Sequence, residues 1–233
     1  MQDNPGRVAG LWYLLIVLTG PLRLIYIPGK LFVKGDAAAT VDNIAAHQSL
    51  FRAGIVSDLI GSVGLILLVL AFYRLFRGVD RNLAVQVVIF GGVMPAVLNL
   101  VGVANDMGAL TIARGTDFLA AFSKPQLDAL AMFLLRLRDH QYTAAEILWG
   151  VWLFPLGILI YKSRFMPRFL GVWIVLGGLS YVALSLSGVM LPAYQHTLFQ
   201  ISQPAMFGEL ALMLWLLIKG ARPLSPAVES APV

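Results

Sequence analysis

Five ionisable side chains lie inside long apolar stretches of this sequence, where lipid or protein must surround them. They are Arg23, Arg52, Asp58, Glu146 and Glu209. A carboxylate held away from bulk water can pair with an arginine, bind a cation or act as a general base. These residue types therefore predict either a buried ion-pair network or a polar site. The apolar stretches around these five residues indicate which helices position their side chains.

The composition indicates a membrane protein. Hydrophobic residues make up 59% of the 233 residues and charged residues 12%, whereas a soluble domain has roughly 45–50% and about 25%. A membrane-spanning helix needs about 20 apolar residues. Six segments qualify: 9–27, 51–76, 83–104, 144–161, 169–190 and 204–218. The sequence predicts an all-α polytopic membrane protein, a bundle of six transmembrane helices.

Charge predicts the domain organisation and orientation. Basic residues gather in the termini and short connections on one side of the predicted bundle. They are Arg7, Arg74, Arg77, Arg81, Lys162, Arg164, Arg168, Lys219 and Arg222. Positive charge favours the cytoplasmic side. We therefore expect a cytoplasmic N-terminus at 1–8, one transmembrane domain at 9–219 and a disordered cytoplasmic tail at 220–233.

Two connections, 28–50 and 105–143, are then extracytoplasmic loops, and each carries helix signals. Thr40 is a good N-cap, and Ser123 with Gln126 forms a capping box. The apolar face of the second loop helix is expected either to lie on the membrane surface or to cover the bundle.

The ionisable residues are expected to meet near the extracytoplasmic ends of the helices. Arg52 and Asp58 are placed on one face of the second span, turned into the bundle. Residues predicted at a similar height on other spans are Arg23, Asn99, Glu146 and Glu209, with His47 and His140 at the interface just above. The sequence thus predicts a polar cluster that opens outward, above an apolar cytoplasmic half.

Two arginines and three carboxylates leave one carboxylate without a partner. A charge deep in a span costs roughly 2.5–3.5 kcal/mol, so pairing is strongly favoured. One interpretation is an ion-pair network that fixes helix packing. The other is a cavity that binds a small or amphiphilic ligand, in which Arg52 anchors an anionic group or holds Asp58. Glu146 and Glu209 would then accept hydrogen bonds or a cation.

Other function classes have weaker support. The chain has no cysteine and no nucleotide-binding, hydrolase or zinc-protease motif, and its basic residues lie in loops rather than in a nucleic-acid patch. We expect the bilayer as partner and neither cofactor nor metal. An intramembrane lipid-modifying enzyme, a transporter and a purely structural or partner-binding protein stay open. The stretch Trp149–Gly157 predicts a kinked, closely packed helix or an aromatic ligand lining.

Several phrases resemble a known family. They include SLFRAGIVSDLI, DFLAAFSKPQLDAL, LWGVWLFPLGILIYKSRFMPRFLGVWIVLGGLSYV and FGELALMLWLLIKG. Over roughly residues 7–220 the chain is similar to bacterial membrane proteins grouped as the domain of unknown function 4386 family. The resemblance implies a location in the bacterial cytoplasmic membrane and no particular activity.

Overall fold

The structure, a computed structural model, describes residues 4–222, and within that range it contains helices and no strand. Six helical segments are long and apolar enough to cross a membrane, which confirms the predicted fold class. We call them spans 1 to 6: Pro5–Leu31, Gln48–Phe76, Arg81–Arg114, Lys124–Lys162, Arg168–Met190 and Pro192–Ile218. Most of the predicted tail, at 223–233, lies outside the described residues.

Four spans combine more than one helical segment. Span 1 joins Pro5–Pro21 and Ile27–Leu31 through the π-helical turn Leu22–Tyr26. Span 3 joins Arg81–Val88 and Met94–Arg114 through the π-helical turn Ile89–Val93. Span 4 consists of Lys124–Val151 and Leu153–Lys162, and span 6 of the short 3₁₀ turn Pro192–Tyr194 and Gln195–Ile218. A proline lies within three residues of each interruption in spans 1, 3 and 4, and proline cannot supply the backbone N–H of a regular helix.

The two ends of the described chain meet at one end of the bundle. The Gly6 N–H donates to the Ala221 carbonyl at 3.0 Å, and Asn4 Oδ1 caps span 1 while accepting from the Ala221 N–H at 3.0 Å. We call this end the termini end and the other the opposite end. The largest apolar core, which includes Phe72, Leu156 and Leu216, occupies the half toward the termini end.

The connections differ from the prediction in length. Span 3 runs to Arg114 and span 4 starts at Lys124, so the predicted loop 105–143 shrinks to the connector 115–123. The Ser123–Gln126 capping box is present, but the helix it starts continues directly into span 4. Its apolar face covers the bundle, packing on the helix Ala37–Ala46 and the end of span 3.

Two other predicted boundaries are wrong. The helix Ala37–Ala46 is capped by Asp36, whose Oδ1 accepts from the Ala39 N–H at 2.9 Å. Thr40 lies inside that helix and donates to the Asp36 carbonyl at 2.8 Å. The helix of span 6 begins at Gln195 rather than at 204, because the polar stretch before Pro204 continues the helix.

Candidate functional site

Two arginines and two aspartates form a closed, buried ring, which we call the quartet. Arg23 contacts Asp58 Oδ2 at 3.0 Å and Asp106 Oδ2 at 2.5 Å. Arg138 contacts the same two oxygens at 2.5 and 3.1 Å. All four side chains are less than a tenth exposed. The quartet joins spans 1, 2, 3 and 4 with no net charge.

The quartet corrects the prediction for Arg52. This residue is exposed and makes no ion pair among the described residues. The reason is helical geometry: six residues at 100° each place Arg52 about 120° around span 2 from Asp58. Arg138 takes the place that the sequence pattern assigned to Arg52.

Arg138 and Asp106 are not among the predicted site residues, because both fall in a predicted loop, although Asp106 follows the face of Asn99. The signal that could have found them is periodicity. Asp106 lies seven residues after Asn99, on the same helical face. Arg138, Tyr142 and Trp149 likewise recur at helical spacing. The π-helical turn of span 1 holds Arg23, and such turns often mark functional sites.

A layer of neutral polar groups borders the quartet. Asn99 Nδ2 donates to the Asp58 carbonyl at 3.0 Å and to Ser62 Oγ at 2.7 Å. Ser62 Oγ in turn donates to the Asp58 carbonyl at 2.8 Å. The Arg138 guanidinium donates to the Tyr142 hydroxyl at 2.7 Å and lies 4.9 Å from its ring centre. These bonds hold the polar side chains against the helices that carry them.

Glu209 forms a second polar centre, in the middle of span 6. The Tyr13 hydroxyl donates to its carboxylate, and the Tyr181 phenol lies beside it. Among the described residues no lysine, arginine or histidine pairs with Glu209. Glu209 is only half-buried although it lies deep in the bundle, because part of its surface faces a cavity.

That cavity extends from the quartet to Glu209. It has a volume of about 250 Å³, and Arg23, Asp58, Asn99, Tyr142 and Glu209 all line it. Apolar walls come from residues such as Ile16, Leu65 and Ala96. Leu24 of span 1 also lines it and is itself 58% exposed. The cavity lining therefore reaches the surface of the bundle at span 1.

Aromatic rings connect the two polar centres along the cavity. Tyr142 meets Trp149 edge-on with ring centres 5.8 Å apart, and Trp149 meets Tyr181 edge-on at 6.1 Å. On the other side, Tyr13 and Trp152 both pack against Phe72, at 6.2 and 6.4 Å. The Trp149–Gly157 stretch therefore combines both interpretations of its pattern. Its tryptophans line the cavity, while a Cβ on Gly150 would lie 2.5 Å from the Gly178 carbonyl oxygen.

The other predicted site residues lie apart from the cavity. His47 and His140 are exposed and do not line it. Glu146 is half-buried, also outside the lining, and no described residue donates to its buried Oε2 atom. The structure thus joins Arg23, Asp58 and Asn99 into one polar centre and leaves Glu209 as another. Within residues 4–222, no group of three His, Asp or Glu side chains is arranged to hold a metal ion.

Comparisons with known proteins give a family and no activity. The family described as "Domain of unknown function (DUF4386)" matches residues 8–220, and the chain belongs to it. An uncharacterised protein of the archaeon Archaeoglobus fulgidus is 37% identical over 87 residues, which is 36% of this chain and 48% of that relative. The chain thus matches about half the length of that curated relative. No solved structure matches the chain.

Proposed function

We propose that this multi-pass membrane protein, a member of the DUF4386 family, binds a small amphiphilic molecule in the cavity between its spans. The observation that carries the proposal is the cavity itself, about 250 Å³ with apolar and aromatic walls and a polar centre at each end. Ligand sites in proteins have this character: mostly apolar, with a few convergent polar groups. The volume exceeds that of one or two waters several-fold and suits a small molecule.

In this proposal the quartet has a structural role at one end of the cavity, and other lining residues contact the ligand. Its two guanidinium groups and two carboxylates neutralise one another, so it holds four spans in place without any ligand. Helices fixed in this way keep the cavity walls apart. Asn99 and Tyr142 border the same space and offer neutral polar atoms to a ligand.

An enzymatic role has less support from the geometry. A lipid-modifying reaction would use a carboxylate as general base, favoured by a histidine within hydrogen-bond reach. His47 and His140 are exposed, and neither lines the cavity. The cavity carboxylate Glu209 contacts tyrosines instead. Binding therefore accounts for the arrangement better than this reaction does.

The proposal is tested by filling the cavity. Gly20 lines it, and a Cβ built on Gly20 meets no atom within 4 Å, so Gly20→Phe adds a ring at the cavity wall without a backbone clash. We expect wild-type protein in nanodiscs to bind 1-aminoanthracene saturably, seen as fluorescence enhancement, and Gly20→Phe to lose the saturable part.

Gly29→Phe is the matched control. Gly29 lies on the same span, is exposed, and also has no atom within 4 Å of a built Cβ, but it is remote from the cavity lining. This variant should bind the probe like the wild type. Equal saturable binding by both variants, or none by the wild type, would overturn the proposal.

We further propose that the protein lies in the cytoplasmic membrane with both termini on the cytoplasmic side. The support is charge. The basic residues at the termini end are Arg7, Arg74, Arg77, Arg81, Lys162, Arg164, Arg168, Lys219 and Arg222. At the opposite end, acidic residues such as Asp36, Asp42 and Asp117 accompany the basic ones. Cytoplasmic loops typically carry an excess of Lys and Arg, so this asymmetry supports a cytoplasmic location for the termini end.

A further inference from the structure

We propose that the ligand of this cavity is an organic cation, a substituted ammonium group on a small apolar body, bound beside Glu209. This inference rests on the proposed function and names the chemical class of its ligand. It is carried by three observations: the one charge among the cavity-lining residues that no ion pair balances, the aromatic rings of the lining, and the apolar character of the remaining wall.

The charge of the cavity is the first observation. Arg23 and Arg138 pair with Asp58 and Asp106, so the two positive and two negative charges of the quartet balance. Glu209 lines the same cavity, and no basic residue among those described pairs with it. An ionised Glu209 therefore makes the cavity as a whole negative.

The neighbours of Glu209 supply no opposite charge to a carboxylate there. The Tyr13 hydroxyl donates a hydrogen bond to the carboxylate, and the Tyr181 phenol lies beside it. Phenols orient and solvate a carboxylate, but they are neutral and do not cancel its charge. Charged groups inside a bundle are normally paired or face a water-filled cavity that serves function. A cationic ligand would supply the missing partner.

The rings around this centre fit the same ligand. Tyr13, Tyr181, Trp149 and Trp152 all line the cavity. Aromatic faces attract cations through their quadrupole, and protein sites for quaternary ammonium groups use aromatic cages. Trp149 and Tyr181 meet edge-on, so their faces point in different directions, as in the walls of a cage. Glu209 would supply the charge at one side of these walls.

The rest of the cavity suits the apolar body of such a ligand. Ile16, Leu65 and Ala96 line it with hydrocarbon. Leu24 lies where the lining reaches the bundle surface, within span 1. The geometry therefore places the ammonium group at the Glu209 end and the hydrocarbon along the wall formed by spans 1, 2 and 3.

The test uses two compounds of the same shape. Phenyltrimethylammonium and tert-butylbenzene differ only in a charged nitrogen in place of a carbon. Each is titrated against 1-aminoanthracene bound to wild-type protein in nanodiscs. We expect the cation to displace the probe at a concentration at least about tenfold lower than the neutral compound does, after correction for partitioning into lipid. Equal displacement by both would overturn the inference, since charge would then not be recognised.

Two carboxamide variants assign the preference to one residue. In Glu209→Gln we expect the preference for the cation to disappear while the neutral compound still displaces the probe. Glu146→Gln is the matched control, because Glu146 is a half-buried carboxylate outside the cavity lining, and it should keep most of the preference. Retention of the preference in Glu209→Gln, or its loss in Glu146→Gln, would contradict the assignment to Glu209.

Failure of the inference and failure of the proposed function are distinguishable. If wild-type protein binds the probe saturably and Gly20→Phe does not, the cavity is a binding site, whatever charge it prefers. If both isosteric compounds then displace the probe equally, only the cationic class is wrong. If Glu209→Gln does not fold, the wild-type comparison of the two compounds still decides the inference, because it needs no variant.

Discussion

The four members of the quartet depend on one another, because each arginine contacts both aspartates and each aspartate contacts both arginines. Replacing one member leaves an excess buried charge of one sign. Buried pairs of this kind are weak evidence of net stabilisation, yet breaking one is costly, since the remaining charge has neither water nor partner. The quartet therefore favours one arrangement of the four spans, because that arrangement gives each buried charge its partners.

Asp106→Asn tests this interdependence. The side chain of Asp106 is 0% exposed, and its loss leaves two guanidinium groups facing one aspartate. We expect a loss of about 3–5 kcal/mol in the free energy of unfolding. Thermal or denaturant unfolding of the purified protein in detergent, followed by circular dichroism, measures it.

Arg52→Gln is the control for that variant. Arg52 is an exposed arginine near the start of span 2 and lies outside the quartet. Its replacement should change the stability by no more than about 0.5 kcal/mol. A large loss in Arg52→Gln together with a small one in Asp106→Asn would show that the quartet has been assigned to the wrong arginine.

At the scale of elements, interruptions of the helices surround the cavity. The π-helical turns Leu22–Tyr26 and Ile89–Val93 and the break at Trp152 each contribute residues to its lining. A π-helical turn adds one residue to a helix turn and rotates the rest of the helix, which brings a side chain such as Arg23 to a face it would otherwise miss. All three helix interruptions thus contribute to the walls of the cavity.

The helix start at Asp80 gives a pH-dependent contribution to stability outside the spans. Asp80 Oδ1 accepts from the Leu83 N–H at 3.2 Å, and Oδ2 pairs with Lys162 at 3.1 Å. Two hydrogen bonds lower the pKa of Asp80 below its ordinary value. The backbone bond from Leu83 has the larger effect and the bond from Lys162 the smaller one. Because the folded-state pKa is the lower one, the contribution is fully present above the unfolded pKa of about 3.9. It is lost as the pH falls through the lowered folded-state pKa.

Comparing Asp80→Ala with the wild type across pH measures this effect. The difference in unfolding free energy should be constant from about pH 6 to 8 and shrink as the pH falls below about 4. Asp80→Asn keeps a capping side chain without the charge, so its difference from the wild type should be smaller and show the same acid dependence. A difference that grows on acidification would contradict the sign of the shift.

At the scale of the whole molecule, the two halves of the bundle differ. The termini half contains the largest apolar core, whereas the quartet lies in the opposite half. Six crossings bring both ends of the described chain to one end, where Gly6 meets Ala221. The cavity lies between these halves, with a rigid core on one side and the charged ring on the other.

The arrangement across the membrane is open to a direct measurement, because the chain has no cysteine. A cysteine at Gly78, in the connection between spans 2 and 3, should react with a membrane-impermeant maleimide only from the cytoplasmic side. A cysteine at Phe118, which is 74% exposed in the connector at the opposite end, should react only from the other side. Sealed right-side-out and inverted vesicles separate the two.

The pair of positions also separates two kinds of error. Labelling of both from the same side would contradict an odd number of crossings between them. Labelling from opposite sides but in the reversed sense would leave the bundle correct and overturn the proposed orientation of the termini.

Most of the helical architecture can be predicted from the sequence, because it depends on the composition of each segment and on bonds between residues close together in the chain. Six apolar stretches of sufficient length specify six spans in any fold, since the bilayer sets the required length. The Ser123–Gln126 capping box marks a helix start through bonds within one turn. Asp58 and Arg23 were identified as site residues because an ionisable group in an apolar stretch is costly wherever it lies.

Only the tertiary structure decided which charges meet. Arg138 lies in a charged stretch where hydropathy gives no reason to extend a span, so its burial follows from packing between spans 3 and 4. Arg52, although in an apolar stretch, points away from the bundle because of its angle on span 2. Pairing depends on distances between residues up to 83 positions apart, such as Arg23 and Asp106. Periodicity along one helix carries no information about such distances. For the same reason it could not predict the cavity, or that Glu209 would contact tyrosines instead of an arginine.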